Sequence, residues 1–464
     1  MSDCEFGCDL VCVYCGYQAR RAGTRRNCSV ERPPSVTAQL SSYAAAVSRW
    51  LGAGRPVRTD EQVAGLLAIC HDNRCGKYRD GQCIACGCRV NSSGWALANK
   101  LRMATESCPK GLWSAGQLFG KSERLQVGIL TPNLMVGGVE SWLLSLAKEW
   151  ARSGQVELAG IGHIGTEGTH QQAFTRQITR VCQVVTSCDI DGAHKVRSPI
   201  DAAGAIAAAS DVLIVWSVSA DILARVKRTG LTVAGVSHGC HDWWMEAAAP
   251  LVDRWAAVDP VAVTPIPVNH QSVEIIPNGI DLERCQSSLM QQEARRRLGL
   301  PPDGKVVGYV GRLSPEKRIA EIAASAAHLP SGWRVLIVGD GREADTAVGE
   351  WVYRRPATEA IGDVWRACDV AVVASEAEGY CLAAVEALAA GVPLAATRVG
   401  VVEQIANEVE IIPQPARPED IAAACVMARQ RGISPRLAAW VGGQSSDAMA
   451  ARWADWLGKI ANKK

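Results

Sequence analysis

Two carboxylates, Glu378 and Glu386, stand eight positions apart in the stretch SEAEGYCLAAVEALAAG. The apolar run before them, Val370 to Ala374, reads as a strand, Glu378 and Gly379 as a turn, and the residues from about Cys381 onward as a helix carrying Glu386. At about 1.5 Å of rise per residue the two carboxyls lie ~12 Å apart, beyond the roughly 5 to 9.5 Å at which a pair of acids can share one scissile sugar bond. The spacing suits two contacts to opposite ends of one long ligand. Free amides at the helix start add an anion site. Upstream, GRLSPEKR follows the run VVGYV. There Gly311 permits close backbone approach, and Arg312 and Lys317 put two cations at a sheet's C-terminal edge, where open α/β sheets bind ligands. Gly137 and Gly138 hold the corresponding place between the first strand and the first long helix, and His238 closes a further run in VSHG.

Taken together, these stretches resemble the group 1, glycogen-synthase-like retaining glycosyltransferases, over residues 125 to about 440. Glu378 and Glu386 match that family's Glu-x7-Glu motif, and Glu378-Gly379-Tyr380-Cys381 stands where the family has EGFG. The resemblance implies that Glu378 touches hydroxyls of the donor sugar, that the amides from Gly379 through Leu382 reach the diphosphate, and that Glu386 binds the ribose diol. It implies that Arg312 and Lys317 hold the diphosphate and stabilise the leaving group, with Gly311 beside them. Gly137 and Gly138 match the family's GGxE loop, with Glu140 in its acidic position, and His238 matches a histidine near donor sugar and acceptor. The catalytic set expected is thus His238, Arg312, Lys317 and Glu378, and the donor expected is a UDP-sugar. Cys381 departs from the family's glycine and is expected to narrow the space for the diphosphate. IIPNGID, Ile275 to Asp281, matches the inter-domain connection, with Asn278-Gly279 as a turn or hinge. Two further stretches are set aside. Asp189 to Asp191 lacks the context of a metal-binding Asp-x-Asp, and Val338 to Ala344 lacks the third glycine of a dinucleotide loop.

The elements that must position these residues fall into five segments. Residues 1–33 form a first cysteine cluster, and 34–122 a helical linker with a second cluster. From Leu125 short apolar runs alternate with helical stretches, the pattern of β-α-β units on a buried parallel sheet. The pattern restarts at KVVGYVG. The expected fold class is therefore α/β, two Rossmann-like domains (GT-B) after a small zinc-binding module: 123–282 for the acceptor, 283–440 for the nucleotide-sugar, and 441–464 as a terminal helix.

Eleven of the 18 cysteines lie in the first quarter: Cys4, Cys8, Cys12, Cys15, Cys28, Cys70, Cys75, Cys83, Cys86, Cys88 and Cys108. Cys-x2-Cys pairs followed by glycine are strong zinc signals, and the absence of a secretory pattern argues against disulfides. Two structural Zn2+ ions are expected, with more candidate ligands than they need. The second cluster also resembles a small CxxC-G-C … CPxGxW module found beside enzymes and phage proteins. Residues 1–122 carry 16 Lys+Arg against 9 Asp+Glu, so the basic end is the cysteine-rich one, although two four-cysteine zinc sites would reduce +7 to about +3.

No run of 18 apolar residues predicts a membrane span, and a cytoplasmic setting is expected. The expected activity is retaining transfer of a sugar from a nucleotide-sugar to a hydroxyl of a macromolecular acceptor, with hydroxymethylated DNA bases as the leading candidate. Arg20, Arg21, Arg25, Arg26, Arg74 and Arg79 would track phosphates, and Trp243 and Trp244 would either stack on a flipped base or pack as buried core tryptophans. The alternatives are a protein or glycan acceptor, and a catalytically inactive zinc-dependent nucleic-acid-binding protein.

Overall fold

The computed structural model describes residues 10, 18–22, 25–26, 36–53, 57–58, 60–73, 76–79, 81–83, 85, 88–90, 99–106, 124–135, 137–166, 168–228, 230–239 and 244–461. The chain divides into two compact units, Met1–Glu123 and Arg124–Lys464.

In the first unit, helix α1 (Val36–Gly52) buries Ala46 and Trp50, one turn apart, and α2 (Asp60–His71) turns Val63, Leu66, Leu67 and Cys70 to one side. Three two-residue strands, β1 (Tyr78–Arg79), β2 (Gln82–Cys83) and β3 (Cys88–Arg89), form an antiparallel sheet. The core is small: Val63, Val90 and Leu101, with Tyr78 and Cys83 against it. A buried arginine compensates. Arg58 donates to the carbonyls of Leu101, Met103, Ala104 and Glu106, gathering a loop that has no ladder of its own.

Of the expected zinc ligands, Cys70, Cys83 and Cys88 are described, and Cys83 and Cys88 sit opposite each other on neighbouring strands. Among the described residues, no group of three or more His, Cys, Asp or Glu side chains is arranged to hold a metal ion. Cys4, Cys8, Cys12, Cys15, Cys28, Cys75, Cys86 and Cys108 lie outside the described residues. No described helix is long and apolar enough to cross a membrane.

The second unit holds two parallel sheets. The first lobe comprises β4 (Gln126–Thr131), β5 (Glu157–His163), β6 (Val184–Thr186), β7 (His194–Lys195), β8 (Val212–Val215), β9 (Thr232–Ser237), β10 (Arg254–Ala257) and β11 (Glu274–Ile275), in the order β11-β10-β9-β8-β4-β5-β6-β7. Its helices are α3 (Gly138–Ser153), α4 (Gln172–Val181), α5 (Pro199–Ala209), α6 (Ala220–Lys227) and α7 (Met245–Ala248). The second lobe comprises β12 (Lys305–Val310), β13 (Trp333–Val338), β14 (Val352–Arg355), β15 (Val370–Val373), β16 (Leu394–Ala396) and β17 (Glu410–Ile411), ordered β14-β13-β12-β15-β16-β17. With it go α8 (Gln291–Arg297), α9 (Ile319–Ala324), α10 (Ile361–Ala367), α11 (Leu382–Ala389), α12 (Pro418–Arg431) and α13 (Pro435–Gly442). The central strands β8, β9 and β15 are buried along their whole length, because helices cover both faces of each sheet.

The chain passes between lobes twice. It leaves the first lobe near Asn278 and returns at α14 (Ser446–Ala461), where Ile280 bridges to Ser445. Helix α14 packs on α3 of the first lobe, burying Met449, Trp453, Trp456, Leu457 and Ile460 along one stripe. Trp150 Nε1 on α3 donates to the Ala450 carbonyl at 3.0 Å, and Ser446 donates to Glu149 at 2.9 Å.

Candidate functional site

The C-terminal ends of β12 and β15 position the charged residues of the second lobe. After β12 the chain turns at Gly311, and the loop Val338 to Ala344 backs that turn. β-Carbons at Gly339 and Gly341 would come within 1.9 and 2.1 Å of the Gly311 and Leu313 carbonyl oxygens, so these two glycines serve backbone packing. A short turn, Pro315–Lys317, then brings Glu316 O to accept from the amide of Glu376 at 2.8 Å, tying the two functional loops together. Across that tie Lys317 Nζ lies 2.7 Å from Glu378 Oε1, both side chains mostly buried at 14 and 17% exposure. Ser375 Oγ donates to the same Glu378 oxygen at 2.8 Å. Arg312 is different: its side chain is 69% exposed and reaches Glu316 only at 3.7 Å.

Helix α11 begins at Leu382, with Cys381 as its N-terminal flanking residue and no side chain capping its first amides. Those donors therefore face the cleft. Cys381 sits at φ 77°, a backbone region in which a β-carbon is strained and a glycine is not. Its side chain is buried as part of the second-lobe core. The departure from glycine thus brings backbone strain and a buried thiol close to Glu378 and Lys317. Further along α11, burial pushes the Glu386 carboxyl up to about 7, with the Arg284 guanidinium pulling the other way. Tyr380 accepts at its carbonyl from the Val401 amide and donates from Oη to Gln444 at 3.0 Å, anchoring the loop from behind.

The first lobe presents the start of α3. Gly137 flanks the helix with extended backbone and no side-chain cap, and Gly138 faces Leu382 of α11 at 3.9 Å from where its β-carbon would be. Two helix starts therefore meet across the cleft. Glu140, in the first turn of α3, hydrogen-bonds its own amide and faces Arg312; burial pushes its carboxyl up to about 7. Where the lobes touch, a β-carbon on Gly379 would lie 1.7 Å from the His238 carbonyl oxygen, so only glycine fits there.

Beneath that contact the His238 ring packs against Trp142 and Trp216, at ring separations of 4.7 and 5.6 Å. Trp453 of α14 closes the box against Trp142 at 5.5 Å. Burial pushes His238 down to about 3, and neither ring nitrogen has a hydrogen-bond partner among the described residues. The carbonyl of His238, not its ring, meets the second lobe.

The structure thus gathers Gly137, Gly138, Gly311, Arg312, Lys317, Glu378, Gly379, Tyr380, Cys381 and Leu382 around one cleft. Glu386 lies further along the helix that opens on it. Of its two readings Trp244 takes the core one: it flanks the short α7, packs on Trp255 at 5.3 Å and is 2% exposed, so it is not free to stack on a base. Trp243 lies outside the described residues. Asp189 pairs with Lys195 at 2.6 Å on the surface. Sequence reasoning missed the Trp142, Trp216 and Trp453 box and the link across the lobes from Gln404 to Asp259 at 2.9 Å. No local motif announces either.

Residues 304–430 match the family model for glycosyl transferases group 1. This segment is a glycosyltransferase domain. A GDP-mannose-dependent alpha-mannosyltransferase from Mycobacterium tuberculosis is 36% identical over 128 residues, 26% of this chain and 32% of that one. A D-inositol 3-phosphate glycosyltransferase from Mycolicibacterium smegmatis is 34% identical over 147 residues, 28% of this chain and 33% of that one. The chain therefore spans about a third of the length of the curated relatives it matches. The fold extends further than the sequence similarity. The crystal structure of Anabaena HepE in complex with UDP and glucose superposes with a TM-score of 0.59 at 17% identity, over 72% of this chain and all of that one.

Proposed function

We propose that this protein transfers a sugar, with retention of anomeric configuration, from a UDP-sugar to a hydroxyl of a macromolecular acceptor. One observation carries the reading: Lys317 and Glu378 form a mostly buried pair at the uncapped start of α11, and Glu386 lies about one turn further along that helix. The diphosphate lies at the two helix starts, with Arg312 and Lys317 closing on it. Glu378 receives sugar hydroxyls, and Glu386 the ribose diol. The bond from the anomeric carbon to the diphosphate oxygen breaks, its electrons leaving with the diphosphate. The acceptor oxygen bonds that carbon from the same face, and its proton passes to the departing diphosphate oxygen. Fixed cations and amides in a water-poor cleft stabilise the charge that develops there. The complex of Anabaena HepE with UDP and glucose supports uridine as the base, and the mannosyltransferase relative makes GDP-mannose the comparison. His238 contributes through its carbonyl, since its ring is enclosed.

A donor screen that measures released nucleoside diphosphate tests the reading, with Lys317→Ala beside the wild type. The substitution should cost about 2 to 4 kcal/mol of transition-state stabilisation. Equal turnover by both proteins refutes the assignment.

In the first unit, structural zinc is supported by Cys70 and Cys83 packed against a core of three buried residues and by the register that pairs Cys83 with Cys88 across neighbouring strands. A DNA acceptor bearing hydroxymethylated bases is supported by the basic first segment, having lost Trp244 as a stacking residue. Offering duplex DNA with and without hydroxymethylcytosine beside protein and glycan acceptors decides it, and transfer only to the latter eliminates DNA.

A further inference from the structure

Glu140 is a carboxylate placed where an anion is to bind. It stands in the first turn of α3, half-buried, over amides that no other side chain caps, and it hydrogen-bonds its own N–H. Gly137 leaves it room, since a β-carbon there would come within 2.6 Å of Glu140 Oε2. The helix start that it occupies is the one that faces Leu382 and the uncapped amides of α11. The charged group opposite it is Arg312, from the turn after β12, which is itself 69% exposed and held only loosely by Glu316. A negatively charged Glu140 therefore competes with a diphosphate for the same amides and the same guanidinium, whereas a neutral one does not.

We propose that Glu140 is a built-in competitor of the donor, occupying the α3 start opposite Arg312 when no donor is bound and binding a proton when the diphosphate arrives. This deepens the donor-site reading and rests on it. The sign follows from charge. Burial already brings this carboxyl into the neutral range, and two phosphate charges beside it favour its protonated form further, so binding takes up a proton and weakens as pH rises through about 7. Glu386 titrates in the same range in the opposite sense, because its ionised form receives the ribose diol. The test must separate the two.

Glu140→Gln keeps the shape and removes the charge. Calorimetric titration of UDP-glucose into wild type and Glu140→Gln at pH 6, 7 and 8 isolates the residue, because the Glu386 contribution is common to both proteins. The ratio of the wild-type Kd to that of the variant should be near one at pH 6 and rise to about tenfold at pH 8. Wild-type titrations in two buffers of different ionisation heat should also show greater proton uptake than the variant at pH 7, a readout independent of any change in affinity. A ratio that stays constant with pH, or a variant that binds more weakly than wild type at pH 8, overturns the competitor role while leaving the donor site intact. Failure of both proteins to bind UDP-glucose at every pH sinks the UDP-sugar reading and this proposal with it.

Discussion

In the second lobe Asp369 is buried beneath the sheet with Arg295 against it, while the Val306 amide donates to it and Arg295 also donates to the carbonyls of Ala367 and Pro302. In the first lobe the side chains under the cleft are His238, Trp142 and Trp453, whose ring nitrogens have no hydrogen-bond partner among the described residues. At these two places the second lobe relies on satisfied polar groups and the first on aromatic contact. Directional bonds fix a geometry before any ligand arrives, whereas a box of aromatic edges is only as well defined as the helices around it. The Lys317–Glu378 pair belongs to the first style and the His238–Gly379 contact joins the two.

The comparison breaks most sharply at Asp369. Its replacement, Asp369→Ala, leaves a buried guanidinium uncompensated and should cost about 3 to 5 kcal/mol in denaturant unfolding. A loss below ~1 kcal/mol would mean that the pairing does not shape the lobe. Gly379→Ala probes the junction. The new β-carbon cannot fit against the His238 carbonyl, so the lobes must separate, and kcat/KM with the best donor should fall about a hundredfold while unfolding changes little. Full activity would show that the cleft does not need that approach. The smallest effect is expected from His238→Phe. It keeps an aromatic ring and removes two unpaired polar atoms, so stability should stay within about 1 kcal/mol of wild type or improve. Its activity should remain within roughly tenfold, because only the carbonyl faces the site; a loss of about a hundredfold or more would restore an acid–base role for the ring.

The placement of the second lobe's candidate site is legible in the sequence because each part is local: a strand, a turn and a helix start within a dozen residues carry Glu378 through Leu382, and GRLSPEK does the same for Lys317. Periodic apolar runs likewise announce both parallel sheets. What the sequence does not reveal is which polar residues end up enclosed. Trp142, Trp216, His238 and Trp453 come from two helices and the ends of two strands far apart in the chain, so no window contains their contact. Trp244 illustrates the same limit: an aromatic pair after a strand has no local mark that separates a stacking surface from a core anchor. Cys381 shows a third kind. The motif gave its position, but only the backbone angle reveals that the cost of replacing glycine is paid in strain.

The return of α14 to α3 has a consequence for how the protein is made. Trp150 on α3 meets the Ala450 carbonyl across 300 positions, and Trp142 meets Trp453 across a comparable distance. During synthesis every strand of the first lobe emerges long before the helix that covers this apolar flank. At about 5 to 20 residues per second the exposed tryptophans wait roughly 15 to 60 seconds for their cover. The lobe that emerges first is therefore completed last, and until then its bare flank is the surface a chaperone would be expected to hold.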